Sequence, residues 1–322
     1  MAGMSAESTT IDPPVAGGRG PARRWTRRLG AAVGLMLVCA LPAWATSAPQ
    51  PGAVRSPLGS PPYVSDYGNN RVVTLSRDGG EQITVPLAGL VRPSGMVWDA
   101  ASRLYVSDTG NNRIVVLPPD GGDQSVVPTS DLSRPLGLAV DPAGNLYIAD
   151  SFNDRIVRVA ADGRGQTTVT TQGLLHPWGL AWAPDGHLYV SDFVNDRVVR
   201  VAADGSGQST VPTTGLSQPT GLALSTTGDL YVADSGNNRV VKLAAGTGRQ
   251  SVVPTSGLDS PLGLALDGTG NLYVADGFNN RVVRVRETGG GRQVTLAFTG
   301  LNTPTGLAVP PAAARPGYGQ HG

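Results

Sequence analysis

Six aspartates stand about 42 residues apart in this chain: Asp66, Asp108, Asp150, Asp192, Asp234 and Asp276. Three residues after each comes an asparagine (Asn69, Asn111, Asn153, Asn195, Asn237, Asn279), and five after each an arginine (Arg71, Arg113, Arg155, Arg197, Arg239, Arg281). A carboxylate, an amide and a guanidinium at fixed spacing could form a ring of charged sites that grips a ligand. They could equally hold a tight turn, because short Asp and Asn side chains bond nearby backbone amides and the Arg fork bridges two layers. A group that performs a reaction step is normally used once, so sixfold repetition points to scaffold.

Residues suited to acid–base or metal chemistry are scarce. The histidines are His176, His187 and His321, and beyond the N-terminal region the glutamates are Glu81 and Glu287. No pair has ligand spacing, and no Ser/His/Asp arrangement stands out. The single cysteine, Cys39, lies in an N-terminal apolar run, so a thiol nucleophile, a Cys-based metal site and a disulfide framework are not expected once that run is removed. No metal and no cofactor is expected. Formal net charge is +1 and the positive charge is almost all arginine, spread along the chain. That distribution argues against a nucleic-acid binder, which needs a clustered basic face.

Function is better sought where the repeat breaks. In the turn after each aspartate the variable positions hold Tyr67, Phe152, Phe193, Val194 and Phe278. The residue between Pro and Gly in each "PxGL"-like stretch is Ser94, Leu136, Trp178, Thr220, Leu262 or Thr305, and is expected to face a channel mouth. The fourth copy reads "HPWGLAW", with His176 and Trp178 together and Phe193 close by. Aromatics gathered on one face suit a partner or ligand site, because large rings anchor interfaces. They could also pack against neighbouring loops and seal the fold. The candidate binding residues are Trp178, His176, Phe193, Phe152, Phe278 and Tyr67.

The elements that position these residues follow from the period. Tyr63, Tyr105, Tyr147, Tyr189, Tyr231 and Tyr273 open near-identical sentences such as "YVADSGNNRVVKL". From Pro135 one copy divides into a strand "PLGLAV", a turn "DPAGN", a strand "LYIAD", a turn "SFND", a strand "RIVRVA", a turn "ADGRGQ" and a strand "TTVTT". No stretch sustains a 3.6-residue period, so no helix is expected. A period of about 40–45 made of short strands predicts propeller blades of four strands. The first copy lacks its "GLA" strand, and "PTGLAV" near the C-terminus supplies one. The expected fold is therefore all-β, a six-bladed β-propeller closed by a C-terminal strand joining the N-terminal repeat. Closure removes the open sheet edges that invite aggregation.

Outside the repeats, residues 1–22 read as a disordered N-terminus. Residues 23–45 carry Arg23, Arg24, Arg27 and Arg28, an apolar run, Pro42 and a small-x-small site at Ala43-Trp44-Ala45. That is the layout of a signal peptide, with an uncleaved membrane anchor as the alternative. Either places the remainder outside the cytoplasm. Gly30 departs from a twin-arginine signal, and Val38 before Cys39 departs from a lipoprotein signal. Residues 46–57 read as a linker, 58–310 as the propeller and 311–322 as a disordered tail.

The pattern "PxGLAxxxxGxLYVADxxNNRV" resembles the NHL repeat. Six copies resemble a six-bladed NHL propeller and, more narrowly, the extracellular sensor domain of mycobacterial receptor Ser/Thr kinases. The chain departs from those receptors in having no glycine-rich nucleotide loop and no His-Arg-Asp stretch. The resemblance implies an extracytoplasmic, non-catalytic binding or sensor-like module that holds an envelope protein, peptide or glycan on one loop face, as a monomer. Six-bladed relatives that are amidating lyases, or lactonases with calcium or zinc on the axis, make a propeller enzyme the alternative. A purely structural envelope protein is the second.

Overall fold

The computed structural model describes residues 60–286 and 292–311. The N-terminal region 1–45 with Cys39, the linker 46–57, residues 287–291 with Glu287, and the tail residues 312–322 with His321 lie outside the described residues.

Among the described residues the strands form six four-stranded antiparallel sheets, as the repeats predict. Blade 4 shows the plan. Its innermost strand is Pro177–Trp182, followed by His187–Asp192, Arg197–Ala202 and the outer strand Gln208–Thr210. Blade 1 draws on both ends of the chain. Its innermost strand is Pro304–Ala308, paired antiparallel with Tyr63–Asp66, with Arg71–Leu75 and Gln82–Thr84 outside. Among the described residues there is no α-helix. In blades 1 to 5 the turn between second and third strands is one turn of 3-10 helix, Phe193–Asn195 in blade 4, and a left-handed residue follows it in every blade.

The second strands are apolar because both of their faces are covered. Leu104–Asp108, Leu146–Asp150 and Leu230–Asp234 are buried along their whole length. The apolar clusters lie between blades. One joins Tyr147, Ala149 and Ile156 of blade 3 to Leu188, Val190 and Val199 of blade 4. At about 1.5–3 kcal/mol for each fully buried aliphatic or aromatic side chain, these seams are the main source of stability.

The innermost strands meet at a ring of glycines, Gly95, Gly137, Gly179, Gly221, Gly263 and Gly306. A Cβ on any of them would collide with the next blade's backbone. The ring pinches the axis to a cavity of about 70 Å³ lined by residues such as Ser94, Leu136, Leu262 and Thr305. Beyond it the axis opens to a funnel of about 500 Å³ with Trp98, Trp182 and Leu224 in its wall.

Ser94, Leu136, Trp178, Leu262 and Thr305 line the axial cavity, which accords with the expected channel mouth, but the constriction leaves most of these positions inaccessible. Ser94, Leu136, Thr220, Leu262 and Thr305 are all buried. The hydroxyls of Thr220 and Thr305 donate to the Pro261 and Pro93 carbonyls of the following blades, 3.1 Å in each case. Close approach of the innermost strands turns these side chains into seam packing, and only Trp178 stays partly accessible.

Candidate binding face

One face of the ring is built from the turn between second and third strands and the segment leading into each innermost strand. The recurring Asp, Asn and Arg lock these together. In blade 4 the Asp192 Oδ2 accepts from Asn195 Nδ2 (2.8 Å) and Arg197 Nε (2.7 Å), while Oδ1 accepts from Leu175 N (2.7 Å). Asn195 and Arg197 also donate to the Gly173 carbonyl at 2.9 and 3.0 Å. The corresponding Arg–Asp pairs of the other blades are 2.6 or 2.7 Å long. All six carboxylates are fully buried, so they serve the turn and offer nothing to a ligand. Each Arg meets the Asp of its own blade.

Arg197→Ala is expected to lower stability by about 2 kcal/mol. That lies between the ~0–1 kcal/mol of an exposed pair and the about 3–5 kcal/mol of a fully buried one, because the Arg197 side chain is 31% exposed and water can replace part of it. Urea denaturation reads this directly, and an unchanged midpoint would remove the pair from the scaffold.

Two further sixfold devices are absent from the sequence reading. Gln82, Gln124, Gln166, Gln208, Gln250 and Gln293 each clamp the segment arriving from the preceding blade. Gln124 donates to the Ala88 carbonyl (2.9 Å) and accepts from Ala88 N (2.8 Å), and Gln208 does the same at Gln172, with both bonds at 2.9 Å. The left-handed turn residue, Asp154 or Asn238 for example, accepts the backbone N–H of the residue before proline in the next blade. A tally of every letter recurring near 42 residues would have found both.

The variable aromatics separate into groups. Trp178 and Phe193 stack with centroids 5.2 Å apart and planes at 33°. Phe193, at the first position of its turn, is buried, leaving Trp178 as the accessible member. Phe152, at the second position, is 41% exposed. Its ring meets His176 edge-on at 4.8 Å and carries the Arg134 guanidinium at 4.5 Å. Burial pushes the Tyr67 phenol above its ordinary range, and the nearby Arg92 and Arg134 oppose that shift. Tyr67, Phe152 and His176 thus share one sector with two arginines that the sequence reading did not single out. Phe278 is exposed in blade 6 and makes no ring contact among the described residues.

Acid–base groups do not converge here. His187 lies on the opposite face, where its Nδ1 sits 3.2 Å from Asp185 Oδ1 and 3.0 Å from Arg200 Nη2. Among the described residues no cluster of three or more His, Cys, Asp or Glu could hold a metal ion. The axial cavity is lined by glycine, leucine, serine and threonine, with Met96 and Trp178. Calcium and zinc need carboxylate or imidazole ligands, so the described residues do not fit a metal in that cavity.

A ring of six four-stranded blades closed by strands from both chain ends defines a six-bladed β-propeller. The chain belongs to the virginiamycin B lyase family, which it matches over residues 63–314. No curated protein sequence matches it. Among solved structures, the propeller in a nidogen/laminin complex is 23% identical, with 79% of this chain and 99% of that chain covered at a TM-score of 0.72. A streptogramin B lyase is 17% identical, with coverage of 80% and 89% and a TM-score of 0.61. A catalytically inactive histidine-to-alanine variant of virginiamycin B lyase from Staphylococcus aureus, with quinupristin, is also 17% identical, with coverage of 76% and 86% and a TM-score of 0.56. At these identities the likeness is one of fold.

Proposed function

We propose that the protein is an extracytoplasmic binding or sensor-like propeller, non-catalytic, that holds a protein, peptide or glycan on the face carrying Tyr67, Phe152, His176 and Trp178. The observation that carries this reading is the asymmetry of that face. Phe152, His176 and Tyr67 lie beside Arg92 and Arg134, and Trp178 stands on the same face, whereas the exposed Phe278 of blade 6 lies apart from them. Rings with an apolar body and a polar surround are what partner sites use. The nidogen/laminin structure supports it as a propeller of this fold solved with a protein partner. The N-terminal pattern supports a place outside the cytoplasm, by secretion or anchoring. The resemblance of the repeat pattern to the sensor propellers of receptor kinases is the ground for a sensory use.

Family membership favours one second reading, a lyase acting on virginiamycin B or on quinupristin. Its candidate group is His176, the described histidine on the same face.

The test uses purified protein immobilised against an envelope extract of the source organism, beside the Trp178→Ala/Phe152→Ala variant. Capture by the native protein, lost in a variant that melts at the native temperature, is the expected result. Equal capture by both would sink the site. Quinupristin incubated with native protein and with His176→Ala, and followed by mass spectrometry, decides the second reading. Conversion by the native protein alone to a chromatographically distinct product of unchanged mass would make the protein a lyase, whereas a product that gains one water would not.

A further inference from the structure

The residue immediately before the proline of each innermost strand is Arg92, Arg134, His176, Gln218, Ser260 or Thr303. All six adopt left-handed backbone, with φ between 46° and 52°. This conformation is uncommon for residues other than glycine. It is held in place because each backbone N–H donates to the turn residue of the preceding blade at 2.7 or 2.8 Å. The backbone is thus the same in six places while the side chain varies. Three consecutive blades carry arginine, arginine and histidine at this position, and the other three carry neutral residues.

Among the described residues the two guanidinium groups have no carboxylate partner in the scaffold, although Arg92 meets the Tyr67 hydroxyl. Every Arg that follows the turn has its aspartate, but among the described residues no ion pair joins Arg92 or Arg134 to a carboxylate. Of the carboxylates nearest in sequence, Asp99 pairs with Arg103 and Asp141 accepts from Asn145, and Asp131 forms no ion pair with Arg134. Arg134 lies over Phe152 instead, and both arginines flank Tyr67. Exposed apolar side chains are interleaved with these cations, namely Val91 at 38%, Phe152 at 41% and Leu175 at 41%.

Taking the binding reading above as its basis, the geometry points to an acidic polypeptide segment with apolar side chains as the occupant of this sector. Its carboxylates pair with Arg92 and Arg134 while its apolar side chains cover Val91, Phe152 and Leu175. Arginine is suited to this role because its planar fork matches a carboxylate. The aliphatic groups select the class. A sugar ring stacks on aromatic faces and a phosphate needs only the cations, whereas Val91 and Leu175 bury surface only against an apolar partner.

The experiment measures fluorescence anisotropy of a labelled peptide alternating Glu and Leu, its Gln/Leu counterpart, and labelled oligogalacturonate. The full chain is compared with Arg92→Gln/Arg134→Gln and with a control of equal charge loss, Arg164→Gln/Arg249→Gln, at exposed hairpin positions. The expected result is a tenfold or greater preference of the native protein and the control for the Glu peptide, weakened by salt and lost in the double variant. Failure to bind the Glu peptide, a preference that survives R92Q/R134Q, or tighter Arg-dependent binding of oligogalacturonate would each overturn the inference. If envelope capture depends on Trp178 and Phe152 yet is unchanged by R92Q/R134Q, the binding reading stands and the acidic partner falls.

Discussion

A chain ending before Pro304 loses its cooperative unfolding transition. Residues 304–308 are the innermost strand of blade 1 and pair with Tyr63–Asp66, with Tyr63 opposite Ala308 and Val64 opposite Leu307. Removing them leaves Tyr63–Asp66 as an open edge in the middle of the protein. Leu307 is withdrawn from the cluster it shares with Val64, Tyr273 and Val282, and Ala308 from the cluster on the other side of the blade. The Thr305 bond to Pro93 and the backbone contact of Gly306 with Ser94 go as well. Each large apolar side chain involved is worth about 1.5–3 kcal/mol, and both seams of blade 1 are affected. The sum is comparable to the ~5–15 kcal/mol that stabilises a typical domain. Thermal melts followed by circular dichroism read the outcome, and a synthetic peptide of residues 302–311 should restore part of the transition. A truncated chain melting cooperatively at the native temperature would show that closure is dispensable.

Gly179→Ala is expected to be strongly destabilising although it adds one carbon. Its Cβ would run into the Thr220 carbonyl and stand 3.1 Å from Leu222 N and Ser191 Oγ. The obstacles are chiefly backbone, so no rotamer change relieves them. In a closed ring, displacement at one seam must be absorbed by the others. Overpacking a core typically costs about 1–3 kcal/mol, and a rigid ring places this change at the top of that range. Gly207→Ala and Gly268→Ala are the controls, since nothing lies within 4 Å of a Cβ at either. They should be neutral or stabilising by up to about 1 kcal/mol through the unfolded chain. Differential scanning calorimetry on the three variants checks this, and equal melting temperatures would show that the axis tolerates expansion.

The architecture was legible because one pattern of apolar strands and turns occurs six times, and the missing first strand at one end reappears at the other. The Asp, Asn and Arg roles were legible for the same reason. The glutamine clamps were not, because five of them join residues 36 or 37 apart in sequence, the sixth, Gln82 with Thr299, joins residues 217 apart, and neither partner has a telling chemistry alone. Accessibility of the aromatics was also hidden. Phe193 and Phe278 look alike in the sequence, yet one is 8% and the other 54% exposed. The reason is their place in the turn, first position inward against Trp178 and second position outward. Arg92 and Arg134 passed unnoticed because arginine before proline carries no signal until the left-handed backbone and the neighbouring blade's hydrogen bond are seen.

The register of the closing strands also sets how the molecule answers a pulling force. Tyr63 and Ala308 sit opposite one another at one end of the pair, with Asp66 opposite Pro304 at the other. Tension drawn through the two chain ends therefore loads the outermost hydrogen bonds first and parts the strands one rung at a time, as a zip opens. Parallel loading of all the rungs, the arrangement that makes some β-proteins mechanically tough, is not available here. A fold that heat must break as a whole is, under tension, opened from its seam.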